Sequence, residues 1–404
     1  MRRHRLPRHR PRRHRLPQRR TRRHRAPPVR PTSPAAPAPA AVTAPPWCLA
    51  KATSRTAGRR RPRSACGSSC ARTRCGRARS ATSPLSNERN GRATQAGRTG
   101  RTTVSLTTIA NDTLELTVSP EAGASIAGLA ARVRGERVPI LRPTPDDAIA
   151  QLNSSLFASF ALVPWSNRLA DARFTFRGRT HQLKPNTPDG HAIHGDVRKR
   201  PWRVVAQTAT ALELAFASHD FADVNFPFPF EVALRYALDG ATLTTSLALS
   251  SRASEPMPAG MGFHPYYRRT LLDPAEQVEL QAIAPRAYRE LVPLHPAVPI
   301  TPEQDFSRCR ALGDQDFDTC FAGWDGHATI TWPGSRVRAH VACDATLDHM
   351  ILFSPPGKPF FALEPVSNAN NGFNLAAAGD PDAGMRVLAP RETLHGTWHL
   401  TIEG

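Results

Sequence analysis

The sequence predicts an all-β protein, a large β-sandwich or barrel, preceded by a disordered basic tail. Three observations lead there. Apolar residues repeat mostly at every second position from about Thr103 to Gly404, helical period over ten or more residues is hard to find, and Pro and Gly punctuate the chain at short intervals. Short strands with frequent turns over roughly 300 residues suit a sandwich or barrel, and an all-β fold of that size can be one domain.

The tail comes first. The 404-residue chain has a formal net charge of +21, and the charge is unevenly spread. Residues 1–100 hold 27 Lys+Arg and one acid, Glu88, while the rest of the chain holds 27 basic and 32 acidic residues. Arg/His/Pro repetition over 1–30 gives way to a Pro/Ala run over 31–46, then to Arg/Ser/Thr/Gly-rich sequence up to about Thr102. Too few apolar groups are present to offset an ordering cost of roughly 1–2 kcal/mol per residue, so 1–102 is expected to be disordered. Its Arg content suits a nucleic-acid arm or a transit peptide. Trp47 is its only aromatic residue and repeated Pro breaks any amphipathic helix, which argues against both and favours an extension upstream of a folded domain at 103–404.

The strands follow in order. Leu114, Leu116 and Val118 alternate with Glu115 and Thr117 after the Asn111-Asp112 turn signal, and 203–205 and 212–216 read the same way. Phe230, Val232, Leu234 and Tyr236 alternate with Glu231, Ala233, Arg235 and Ala237. After Asp239-Gly240, Leu243, Leu247 and Leu249 resume on one face, which predicts a β-hairpin. Further strands are expected at 328–332 and 397–402.

Seven cysteines, Cys48, Cys66, Cys70, Cys75, Cys309, Cys320 and Cys343, are too scattered for a disulfide framework. The spacing of Cys66, Cys70 and Cys75 lacks the paired short intervals of a zinc ribbon. No run of about 18 apolar residues occurs, and no uncharged apolar core follows the basic start, so neither a membrane span nor a secretory signal is expected. A soluble cytoplasmic protein with reduced thiols is the expectation.

Four separated segments carry the candidate chemistry. Glu364 lies in Phe360-Phe361-Ala362-Leu363-Glu364-Pro365, an apolar strand expected to end at the proline, where partial desolvation would raise its pKa towards that of a general base. His264 lies between Gly262-Phe263 and Pro265-Tyr266. The glycine permits close approach of another backbone, the proline favours extended geometry, and an imidazole is a natural proton donor near neutral pH. His191 and His194 are three apart and point to opposite faces of a strand, so a metal pair is not expected; His194 before Gly195 reads as a hydrogen-bonding group over a ligand. Asn167-Arg168 follows the apolar 162–165, and Arg supplies five donors that suit sugar oxygens.

In series, these segments resemble the aldose 1-epimerase (galactose mutarotase) family over nearly all of 103–404. The matching stretches are Pro120-Glu121-Ala122-Gly123-Ala124, Val163-Pro164-Trp165-Ser166-Asn167-Arg168, Ile193-His194-Gly195 followed by Trp202, Phe226-Pro227-Phe228-Pro229-Phe230, 257–266, Asp318-Thr319-Cys320-Phe321 and Leu363-Glu364-Pro365-Val366-Ser367. The resemblance implies a large antiparallel β-sandwich, galactose mutarotase-like, whose concave face binds one monosaccharide, with no cofactor and no metal. It implies Glu364 as the general base on the anomeric hydroxyl, His264 as the general acid on the ring oxygen, and His194, Arg168, Asn167 and Asp318 as substrate-orienting residues. Three positions differ from the family's usual pattern: Ala172, where glycine is common, Asp196 after His194-Gly195, and Asp316 as a second candidate beside Asp318.

The implied reaction interconverts the α and β anomers of a free aldohexose such as galactose or glucose. A hexose-phosphate 1-epimerase of the same fold would need cations converging on a phosphate. Arg198-Lys199-Arg200 and Arg268-Arg269 supply basic runs, although such runs are usually solvated surface. A non-catalytic carbohydrate-binding protein would need an aromatic platform without the acid–base pair, and a glycosidase would need two carboxylates about one bond, for which Asp318 could join Glu364. Trp165, Phe263 and Trp324 are the aromatic candidates for stacking on the sugar. The sequence does not fix the oligomeric state.

Overall fold

The two-residue alternation becomes two large stacked sheets. They are seen in a computed structural model that describes residues 104–404, so the tail expected at 1–102 lies outside the described residues. One sheet has nine strands in the order Arg203–Gln207, Ala211–Ala217, Phe230–Asp239, Thr242–Ser251, Thr393–Glu403, Val337–Cys343, His327–Trp332, Glu279–Ala282 and Arg310–Ala311. The other runs Val298–Pro299, Arg286–Ala287, Phe317–Ala322, His349–Ser354, Phe360–Val366, Gly262–Phe263 and Ala161–Leu162, with Tyr266–Arg268 also paired to Phe360–Val366. A four-stranded sheet made of Thr107–Ala110, Leu114–Ser119, Ser125–Val133 and Glu136–Pro139 joins the second through bridges at Ile126/Ser159 and Leu141/Tyr267. The ladders between named strands are antiparallel, and the two α-helices, Asp146–Ala150 and Gly372–Ala377, are short. No helix among the described residues is long and apolar enough to cross a membrane.

The expected hairpin is formed by Phe230–Asp239 and Thr242–Ser251, in register from Phe230/Ser251 to Asp239/Thr242, with Gly240 at φ 51° in the turn. A left-handed residue there lets a tight turn follow the twist of its strands. The strands expected around 114–118, 203–205, 212–216, 328–332 and 397–402 all form, each longer than its alternating stretch.

Between the large sheets lies one continuous apolar core. Leu247, Trp398 and Leu400 of the nine-stranded sheet share it with Phe361, Leu363 and Leu352 of the other, and the Phe263 and Trp398 rings meet at 5.8 Å. Side chains alternate across a strand. Phe361 and Leu363 therefore enter this core, whereas Ala362, Glu364 and Val366 face the opposite side. There a second cluster gathers Phe160, Leu162, Tyr266, Cys320, Ile351, Ala362 and Val366, and the candidate site lies on that face.

Candidate active site

Strand register brings the distant segments together. Tyr266 pairs with Ala362 and Gly262 with Val366, so the intervening His264 lies across from Glu364. Cys320, Ile351 and Glu364 form one cross-strand row; Asp318, two residues from Cys320, projects to the same face. Contrary to the sequence expectation, Glu364 is not at a strand end, because the strand runs through Pro365 to Val366. The neighbouring ladder is interrupted between Gly262 and Tyr266, opposite 363–365, so on that side the proline sits where pairing is already broken. A Cβ at Gly262 would lie 2.6 Å from Val366 Cγ1, so this close approach requires glycine.

On the other side, a two-residue ladder of Arg168–Leu169 with Ala192–Ile193 holds the remaining groups. Asn167 and His194 both adopt left-handed backbone, at φ 49° and 63°, and the His194 amide donates to the Asn167 carbonyl at 2.9 Å. Asn167 Oδ1 accepts from the Arg168 amide and from Nη1 at 2.9 and 3.1 Å, which orients the guanidinium. Arg168 Nη2 reaches Asp318 Oδ2 at 3.8 Å. Asp316 is exposed, so Asp318 is the aspartate beside Arg168.

At the centre, His264 Nε2 lies 3.1 Å from Glu364 Oε1 and 3.4 Å from the Tyr266 hydroxyl. The His264 ring stacks on Tyr266 at 4.4 Å, meets Phe160 at 4.7 Å and meets His194 edge-on at 5.1 Å. Glu364 is 1% exposed and His264 4%. Burial, helped by the Asp318 charge, holds the Glu364 carboxyl well above the ordinary carboxylate range. Burial and the nearby Arg142 and Arg198 charges hold His264 well below the ordinary imidazole range, and burial with His264 and Arg198 does the same to His194. Desolvation pushes the Tyr266 hydroxyl up to about 12, so it stays protonated at neutral pH.

Four buried polar atoms here have no hydrogen-bond partner among the described residues: Glu364 Oε2, His264 Nδ1, His194 Nδ1 and Arg168 Nε. Orphaned buried polar atoms are uncommon in folded proteins. Four on one face, mixing donors with acceptors, suit a ligand with several hydroxyl groups.

The family model for aldose 1-epimerase matches residues 105–401. The chain belongs to the aldose 1-epimerase family. Among relatives, YphB of Escherichia coli K12, described as uncharacterised, is 29% identical over 306 residues, spanning 73% of this chain and 98% of YphB. A crystal structure of a provisional aldose 1-epimerase from Escherichia coli K12 superposes with a TM-score of 0.64 at 27% identity, over 74% of this chain and 99% of that one. A galactose mutarotase-like protein from Clostridium acetobutylicum shares the fold, with a TM-score of 0.64 at 18% identity over 74% and 94% of the two chains.

In this aldose 1-epimerase family member, the aromatic expectations need correcting. Trp165, Phe263 and Trp324 all lie in the main core, Trp165 against Phe226 and Phe263 against Trp398. The site's aromatic residues are Phe160 and Tyr266. Phe160 was missed, although two-residue alternation with Leu162 places both on the site face. The basic run 198–200 is not uniformly solvated: Lys199 is exposed, Arg200 pairs with Asp196 and Asp223, and Arg198 is 5% exposed. Ala172 takes φ 49°, so the position where the family commonly has glycine keeps a left-handed backbone without it. His191 is engaged elsewhere, its Nδ1 accepting from the Asp171 amide at 3.1 Å.

Proposed function

We propose that this protein interconverts the α and β anomers of an aldohexose by opening and reclosing the pyranose ring. The observation that carries the reading is the buried Glu364–His264 contact at 3.1 Å, in which each keeps a second polar atom without a partner among the described residues.

The hemiacetal oxygens O1 and O5 are bonded to the same carbon, so a group acting on each must stand beside the other. Burial disfavours both the lone carboxylate and the lone imidazolium, which favours a pair that holds one proton between them. With the sugar bound, the shared proton passes from Glu364 to His264; Glu364 then takes the O1 proton while His264 delivers the shared one to O5 and the C1–O5 bond breaks. The open-chain aldehyde turns about C1–C2. Reclosure on the other face reverses both transfers: Glu364 returns a proton to the carbonyl oxygen and His264 takes one from the O5 hydroxyl. Atoms and charges balance with no further reagent.

Arg168, held by Asn167, and His194, held neutral by burial, are placed to bind hydroxyl oxygens. Asp318, whose pKa is raised by burial, completes that side of the site as an acceptor. Exchange between α and β anomeric proton signals of glucose and galactose should be accelerated by the protein in NMR, while a methyl glycoside, with O1 blocked, stays inert. Exchange at the buffer rate for every aldohexose that binds would leave a carbohydrate-binding protein and end this reading.

A further inference from the structure

Two arginines beside the site take no part in the proton transfers just described and bear on them only through the charge they place near His264. Arg198, on the turn after His194-Gly195, donates through Nη1 to Ser155 Oγ at 2.7 Å, and its buried Nε has no partner among the described residues. Its backbone is pressed against Gly123, where a Cβ would lie 2.2 Å from the Arg198 carbonyl oxygen at φ +75°. Arg142 donates through Nη2 to the Ser155 carbonyl at 2.8 Å and through Nε to the Phe157 carbonyl at 3.1 Å. The two guanidinium groups thus converge on one solvent-exposed serine.

Neither arginine has a carboxylate partner among the described residues, and the only group raising either pKa is the Tyr266 hydroxyl. The fold supplies acids to other arginines, pairing the largely enclosed Arg200 with Asp196 and Asp223 and the half-buried Arg286 with Asp382. An enclosed guanidinium without an anion is costly, and a fork of donors matches carboxylate or phosphate oxygens. Both groups also lie one aromatic ring from His264. Arg142 sits 3.4 Å above the Tyr266 ring and Arg198 5.3 Å above Phe160, and both rings touch the His264 imidazole.

We propose that Arg142, Arg198 and Ser155 form an anion subsite and that the preferred substrate is an acidic hexose, carrying a carboxylate or phosphate on a carbon other than C1. O1 must be a free hydroxyl for the ring to open, so a 1-phosphate is ruled out by the chemistry. This inference rests on the anomerase reading for its substrate but not for its binding.

The test compares kcat/KM for glucose, glucuronic acid and glucose 6-phosphate on the full chain and on Arg198→Gln, Arg198→Lys and Arg142→Gln. The wild type should favour one of the acidic sugars, and which one identifies the anion. A charge-assisted contact predicts that the acidic-to-neutral ratio falls about 10- to 100-fold in Arg198→Gln, chiefly through KM, and recovers in part in Arg198→Lys. If Arg198→Gln fails to fold, Arg142→Gln reads out the same ratio. A wild type that prefers glucose, or a variant that loses the same factor on every sugar, overturns the proposal. If no sugar turns over, the anomerase reading falls, and calorimetric binding of the two acidic sugars decides the subsite: Arg198-dependent binding upholds it and no binding overturns it.

Discussion

Glu364 sits inside a strand with apolar neighbours, and burial together with the Asp318 charge raises its pKa well above the ordinary carboxylate value. A carboxyl whose folded-state pKa is raised binds its proton more tightly in the folded chain. Its stabilising effect is therefore full below the unfolded pKa and is lost as pH rises towards the folded one. Glu364→Gln removes that loss, so the melting temperature of the variant relative to wild type should climb with pH across that window. A difference that stays flat or shrinks would mean the carboxyl is not held protonated by its surroundings. At this scale Glu364, His264, His194, Asn167 and Arg168 occur in short motifs whose flanking Pro, Gly and apolar residues already suggested constrained geometry, while Asp318 was named only through the family resemblance. Arg198 and Phe160 were hidden, because a basic run looks solvated and a lone Phe looks like core until the face it occupies is known.

Elements turn these residues into a site through backbone that few side chains tolerate. Gly195 takes φ +65°, and a Cβ there would lie 1.8 Å from the Val163 carbonyl oxygen, the residue it bridges. Gly195→Ala should therefore cost about 3 kcal/mol or more, through backbone strain and a clash with main chain that has no flexible end to give. The urea midpoint measures it, and a shift worth less than about 1 kcal/mol would show that the bridge can relax. Alternation made the strands legible, and Asp239-Gly240 made the hairpin legible. The end of the Glu364 strand was misread because Pro365 faces Phe263, inside the unpaired stretch between Gly262 and Tyr266 of the neighbouring ladder, and one strand's sequence does not show its partner's interruptions.

At the scale of the whole molecule, the nine-stranded sheet supplies none of the named site residues and acts through the core it shares with the other sheet. Phe361 and Leu363 bind their strand to the core shared with Trp398 and Leu400, which fixes the opposite face and holds Glu364 against His264. Period and turn spacing made an all-β sandwich or barrel legible and the family resemblance narrowed it to a sandwich, whereas the choice of Phe160 and Tyr266 over the three core aromatics depended on packing between distant strands. General acid–base groups each contribute about 10²- to 10⁴-fold, and two groups acting on one hemiacetal work as a unit. The most direct measurement is polarimetry on a freshly dissolved single anomer of the best substrate with wild type, Glu364→Gln, His264→Asn and the double variant. Each single variant is expected to lose about 10²- to 10⁴-fold in turnover with its fold intact, and the double variant little more. A single variant that turns over within about threefold of wild type would contradict the role assigned to that residue, since a general acid or base contributes at least about 100-fold.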